Sequence, residues 1–282
     1  MTIAHNPPPS PGHAPSRRRP PRGPGFWAGL GFTLLVCAFM VVPVVMSALA
    51  GVTVNFFRGL SSGLTLDWVA EVWRLYADTI WRSIWLALAS LGITAVIGVP
   101  AAYVLARNPG PIARAIEETV ALPIAIPGLA LALALILTWG GAGSFRTSSS
   151  FVLAGHVIYT LPFMLRSVIA VMVAIDMKTL EEGAASLGAG FTRRFLTVVV
   201  PNALPGVLAG GLMVVTLSIG EFNLTWMLHT PLTKTLPVGL ADSYASMRLE
   251  IASAYTLVFF VMIVPLLVAM QVAGRRSKRT TS

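Results

Sequence analysis

The chain has 282 residues, of which 55% are hydrophobic and only 11% charged, against about a quarter charged in an ordinary soluble domain. So few charges cannot cover a water-soluble globule of this size, which excludes a disordered protein, a disulfide scaffold and a nucleic-acid-binding domain. The formal charge of +9 therefore reads as membrane topology, and the single cysteine, Cys37, allows neither an internal disulfide nor a cysteine-based metal site.

Residues 1–25 are rich in proline and arginine, with Pro7, Pro8, Pro9 and Pro11 followed by Arg17, Arg18, Arg19 and Arg22. Such a stretch buries no apolar area and is expected to be a disordered cationic tail. The first apolar run covers 26–50. Basic residues precede it and the small-residue series Ser47 to Ala50 closes it, as in a secretory signal. At about 24 residues it exceeds the 7–15 of a signal core, so an uncleaved first helix fits better. Residues 51–79 are mixed; Asp67, Trp68, Glu71, Trp73 and Tyr76 predict a short interfacial helix anchored by aromatics.

Further apolar runs follow at about 80–106, 117–139, 152–175, 204–227 and 252–273, each long enough for the roughly 20 residues a spanning helix needs. A polar stretch, 176–203, separates the fourth from the fifth. With the N-terminus inside, 13 of the 20 Lys and Arg fall on inner segments, 6 on outer ones, and Arg166 remains within a span. Reversing the orientation would reverse that bias, so six spans with both termini cytoplasmic are expected. The segments are then a tail (1–25), a first span with its outer segment (26–79), a five-span core (80–273) and a basic cytoplasmic tail (274–282).

No catalytic signature emerges. The three lysines, Lys178, Lys234 and Lys278, follow Met177, Thr233 and Ser277. None follows glycine, so the chain carries no phosphate-cradling G-x-x-x-x-G-K-[ST] loop. The four histidines show no metal-ligand spacing. The chain is not expected to be an enzyme or to hold a cofactor or metal, and any energy from ATP must come from another polypeptide.

The inner stretch 176–203 carries the most information. Thr179 and Glu182 have capping-box spacing, predicting a short helix that ends near Gly188 and a second amphipathic helix from Phe191 to Val200. Pro201 and Pro205 would then start the next span. Gly183, Ala184, Ala185 and Ser186 are small enough for another backbone to approach closely. Two short helices joined at glycines form a docking knob; the plainer alternative is a solvated loop.

These residues resemble a known family, the membrane permeases of type I, binding-protein-dependent ATP-binding-cassette importers. Its signature is a cytoplasmic loop, the EAA loop, in which Glu-Ala-Ala precedes a glycine and, about a dozen residues later, a Leu-Pro-like pair. Here Glu182-Gly183-Ala184 occupies the triplet, Gly188 the glycine and Val200-Pro201 the pair; Gly183 and Val200 depart from the family's alanine and leucine. Pro100-Ala-Ala-Tyr-Val-Leu-Ala-Arg107, Leu122-Pro-Ile-Ala-Ile-Pro127 and Pro205-Gly206 are also similar, so the likeness covers about 80–273. It implies an all-α, six-span MetI-like fold whose first helix wraps a five-helix core. It further implies a coupling helix at about 178–192 that sits in a groove of an ATPase subunit. Glu181, Glu182, Gly183, Ala184, Ala185, Gly188, Phe191, Arg193 and Pro201 form that coupling loop. The implied partners are two ATPase subunits, which would bind ATP and magnesium, a second permease of paralogous type and a periplasmic binding protein.

Arg166, Glu221 and Asn223 are candidates for the translocation cavity, because ionisable groups inside a membrane face a bundle interior or water. Arg166 and Glu221 differ in depth by roughly 12 Å at about 1.5 Å per residue, too far for an easy direct pair; a structural pair or a contact to the partner permease is the equal alternative. Gly206 and Gly210 form a G-x-x-x-G pattern that permits close helix contact. Segment 220–240 is similar to the spermidine/putrescine-type branch, and Glu221 suits a polyamine-like cation; ferric iron and phosphonate branches look alike there. An ion-driven secondary carrier or a membrane scaffold are the rival classes, but a carrier needs repeat symmetry and a charge relay.

Overall fold

A computed structural model describes the backbone of residues 23–280, and the side chains of these except Ala269, Met270 and 273–280. The expected tail 1–25 lies outside the described residues but for its last three, and of 274–282 only helical backbone to Thr280 is described. Among the described residues the chain is helical throughout, apart from one bridge between Thr53 and Leu64. It divides into two units, 1–45 and 46–282. The first is described by α1 (Pro24–Ala50), whose residues up to Met46 are all exposed. A helix of such apolar composition with no buried side chain is one solvated by lipid.

In the second unit, α2 (Asp67–Arg107) merges the interfacial helix and the second span. The two are separated at Tyr76, which leaves helical geometry (φ −130°, ψ 15°). Trp68 Nε1 donates to the Thr53 carbonyl (3.0 Å), tying the first part of α2 to the loop after α1.

The expected straight third span is instead broken. α3 (Pro111–Ala125) and α4 (Gly128–Trp139) meet at 108°. Pro127 is the cause: it offers no N–H to continue the helix and forces Ile126 into extended backbone (φ −89°, ψ 129°). Five single helices are long and apolar enough to cross a bilayer, and the bent pair makes six spans if counted as one.

α5 (Ser149–Ala174) leads through Asp176, in left-handed conformation (φ 46°), into α6 (Met177–Ser186). The capping box is not formed: α6 starts two residues before Thr179, whose hydroxyl donates to Asp176 Oδ2 (2.6 Å). Gly188 (φ +82°) ends this element as predicted. Its N–H bonds Ala185 O (2.9 Å) and that of Ala189 bonds Ala184 O (3.2 Å), a closure that needs a left-handed residue.

α7 (Phe191–Arg194) is not a separate amphipathic helix. A π-turn, Phe195–Val199, joins it to α8 (Val200–Gly220) as one 30-residue helix. The turn widens just before Pro201, which cannot donate a regular backbone bond. The fifth span also ends earlier than expected. Glu221 is extended (φ −71°, ψ 120°), and α9 (Asn223–Leu228) is a separate helix. α10 (Leu236–Ala245) and α11 (Leu249–Thr280) complete the chain.

α2, α5 and α8 pack on one another and form the centre. The G-x-x-x-G pattern serves this packing: a Cβ on Gly206 would stand 2.8 Å from Ser167 O, and one on Gly210 3.0 Å from Met164 Cα. Toward the α6 end the core holds Val99, Tyr103, Met164, Val168, Met172, Met177 and Val199. At the α4–α9 end it holds Leu86, Leu131, Phe151, Val152, Leu224 and Leu228.

Candidate functional site

The elbow between α5 and α8 is built around one buried carboxylate. Met177 and Glu181, four residues apart, share the inner face of α6, and Glu181 is only 1% exposed. Tyr103 of α2 donates its hydroxyl to both Glu181 oxygens (2.8 and 2.9 Å). Arg107, one turn further along α2, forms an ion pair with Glu181 Oε2 and also donates to Tyr103 Oη (3.2 Å). Arg194 of α7 approaches Oε1 at 3.5 Å. Phe195 packs edge-on against Tyr103 (5.4 Å between centroids) and Phe191 stacks on Phe195 (6.2 Å).

A buried charge survives only when paired and hydrogen-bonded, and here the partners come from two other elements, α2 and α7. Glu181 therefore ties α6 and α7 to the Arg107 end of α2. A cleft of about 290 Å³, lined by Tyr103, Arg107, Met172, Asp176, Lys178 and Glu181 among others, opens beside the lock.

The other coupling-loop candidates face outward. Glu182, Gly183, Ala185, Gly188, Phe191, Arg193 and Pro201 are exposed and Ala184 is half-buried. Glu182 meets only Lys178, at 4.0 Å on the surface. Leu180, Leu187 and Phe191 add an apolar patch, Leu187 being 89% exposed. An element pinned on one face and left apolar and open on the other is shaped to receive a partner. Sequence reasoning named Glu181 but not its clamp; the signal was the i, i+4 pair Tyr103 and Arg107 at the end of a spanning segment.

Of the second group, Glu221 and Asn223 both lie against the start of α4 at Gly128, and Arg166 forms no hydrogen bond or ion pair with either. Glu221 sits at the break between α8 and α9, buried, and closes the first turn of α9. Its Oε1 accepts from Leu224 N (3.0 Å), and its Oε2 from Thr225 N (2.9 Å) and Thr225 Oγ1 (3.0 Å). His156 of α5, which the sequence gave no reason to single out, extends this network. Its Nε2 lies 2.8 Å from Thr225 Oγ1 and its Nδ1 2.8 Å from Ser218 Oγ. Because a carboxylate only accepts, the donor order runs Ser218 to His156 to Thr225 to Glu221. Asn223 is exposed, its Cβ facing the α4 start at Gly128. Arg146 donates to Leu228 O (2.8 Å), so α9 carries an acid at its N-terminus and a base at its C-terminus, the favourable sense for its dipole. Arg166 is exposed on α5 and has no hydrogen bond or ion pair among the described residues. Among the same residues no group of three or more His, Cys, Asp or Glu could hold a metal ion.

Fold and elbow together give a polytopic helical protein with an elbow pinned on one face and partly apolar and exposed on the other. Residues 95–279 match the family described as binding-protein-dependent transport system inner membrane component, and the chain belongs to that family. It is a permease component and not an enzyme. The molybdenum transport system permease protein ModB of Azotobacter vinelandii is 32% identical over 189 residues, covering 61% of this chain and 82% of that protein. The sulfate transport system permease protein CysW of Synechocystis sp. is 27% identical over 257 residues, covering 86% and 91%. Among solved structures, a bacterial ABC transporter importing the acidic polysaccharide alginate gives a TM-score of 0.67 at 17% identity, covering 89% of this chain and 94% of that one. The MetNI methionine ABC transporter, inward-facing, gives 0.59 at 19% identity, covering 75% and 98%. At such identities the likeness is one of fold.

Proposed function

We propose that this chain is one of two membrane subunits of an ATP-driven importer for a tetrahedral oxyanion of the sulfate or molybdate kind, with elbow 176–203 as its coupling lever. The observation that carries the coupling role is the Glu181 clamp, which makes the elbow rigid with the span it must move. In this reading both termini are cytoplasmic. The outward face of α6 docks on one of two ATPase subunits, which hold ATP and magnesium, and a second permease of paralogous type completes the path. A periplasmic binding protein delivers the cargo. ATP binding closes the ATPase pair, and the elbow passes that motion to α2, α5 and α8. The free energy for opening outward comes from the stronger binding of ATP and loaded binding protein to that state.

The cargo assignment replaces the polyamine-like expectation. That expectation rested on the likeness of segment 220–240 and on Glu221 suiting a cation, but both carboxylate oxygens of Glu221 are engaged by α9. The relatives named above are permeases of molybdenum and sulfate systems. The test is uptake by the full complex in proteoliposomes containing ATP, with sulfate, molybdate, phosphonate, ferric iron and spermidine offered in turn to the binding protein. ATP-dependent accumulation of an oxyanion is expected. Accumulation of spermidine or iron alone overturns the cargo, and uptake that ignores an ATPase-dead partner overturns the importer.

A further inference from the structure

We propose that Arg166 is the cation of the translocation path, meeting the oxyanion within the inner half of the membrane; this rests on the oxyanion reading above. Arg166 stands eight residues before the end of α5 at Ala174, about 12 Å at 1.5 Å per residue. The opposite face of α5, with Met164, Leu165, Val168 and Met172, is buried in the core. The face of Arg166, with Phe163 and Ala170 one turn to either side, is open or partly so.

A charge left unpaired in hydrocarbon is costly and turns toward water or a counter-charge. Snorkelling does not resolve it readily, because helical side chains lean toward the helix N-terminus. For α5 that is the end away from the elbow, and the elbow end is the nearer one.

Among the described residues no acid pairs with it. Glu181 is held by Arg107, Arg194 and Tyr103, and Glu221 by the start of α9. Arg166 is also alone of its kind among the described residues. Arg107 and Arg114 stand at the helix ends, and Arg82 is engaged at the opposite side by Lys234 O (3.0 Å). A dianion entering a path through an apolar bundle must exchange its hydration for fixed donors. The planar, permanently charged guanidinium fork fits two oxygens of a tetrahedral oxyanion at once.

The test uses the complete complex, with Arg166→Gln and Arg166→Lys, and reads oxyanion uptake beside ATPase activity stimulated by the loaded binding protein. Loss of uptake by roughly tenfold or more is expected for Arg166→Gln, as for one lost charge-assisted contact. Stimulated ATPase should stay within about twofold, and Arg166→Lys should recover part of the uptake. Unchanged uptake in Arg166→Gln overturns the proposal. So does co-purification that loses the second permease, which would make Arg166 an inter-subunit ion pair. Wild-type complex that transports some other cargo and no oxyanion overturns the cargo reading instead, and is seen without any variant.

Discussion

Glu181 and Glu221 are both buried carboxylates, yet they are satisfied in opposite ways. Glu181 draws a phenol and two guanidinium groups from α2 and α7, so its charge holds together elements that are distant in sequence. Glu221 draws two backbone N–H groups and a hydroxyl from residues three and four positions ahead, and reaches α5 only through Thr225 and His156. The first arrangement ties the elbow to the end of a long helix, as the proposed lever requires. The second shapes a local break between two helices, and so explains an acid in an apolar region without any cargo.

That contrast can be broken experimentally, and the largest effect is expected at the clamp. Glu181→Ala leaves Arg107 and Arg194 without their counter-charge, which costs about 3 kcal/mol for a broken buried pair. The measurement is co-purification of the ATPase together with the thermal midpoint of the complex; both should fall. Glu181→Gln, keeping a bond to Tyr103, should lose less.

Next comes the close contact between α5 and α8 at Gly206. Gly206→Ala places a methyl group 2.8 Å from Ser167 O, and overpacking of this sort costs about 1–3 kcal/mol. A lowered midpoint with wild-type ATPase binding would locate that damage between α5 and α8. Glu221→Ala removes the acceptor at the start of α9 and should cost about 1–2 kcal/mol. Its cargo preference should be unchanged, and a shift in preference without loss of stability would return Glu221 to the path. Smallest is Lys178→Ala, whose exposed pair with Glu182 contributes less than about 1 kcal/mol. An unchanged midpoint there, beside a weakened ATPase affinity, would sharpen the division between the pinned and open faces of α6.

The apolar runs delivered the candidate membrane segments, six when the bent pair counts as one, because a bilayer imposes its length on any helix that crosses it. The stretch 176–203 was legible as an elbow because Gly188 and Pro201 are local signals whose effect does not depend on distant neighbours. The third span was not legible as broken. Pro123 and Pro127 both lie in that apolar run; Pro123 is carried inside α3 while Pro127 ends it, and the apolar pattern does not tell the two apart. The second short helix was misjudged for the converse reason: Phe191 to Val200 continues into α8 through a π-turn, which accommodates Pro201 without a break.

By itself the amino-acid sequence determined the membrane class, the position of the elbow and the lack of a nucleotide loop, since each follows from composition or from spacing within one segment. Tertiary structure alone decided that Tyr103, Arg107 and Arg194 converge on Glu181, that His156 joins Glu221's network, and that Arg166 is left without a partner. Those are pairings between segments tens of residues apart, and nothing in a single stretch of sequence records which charge another helix will reach.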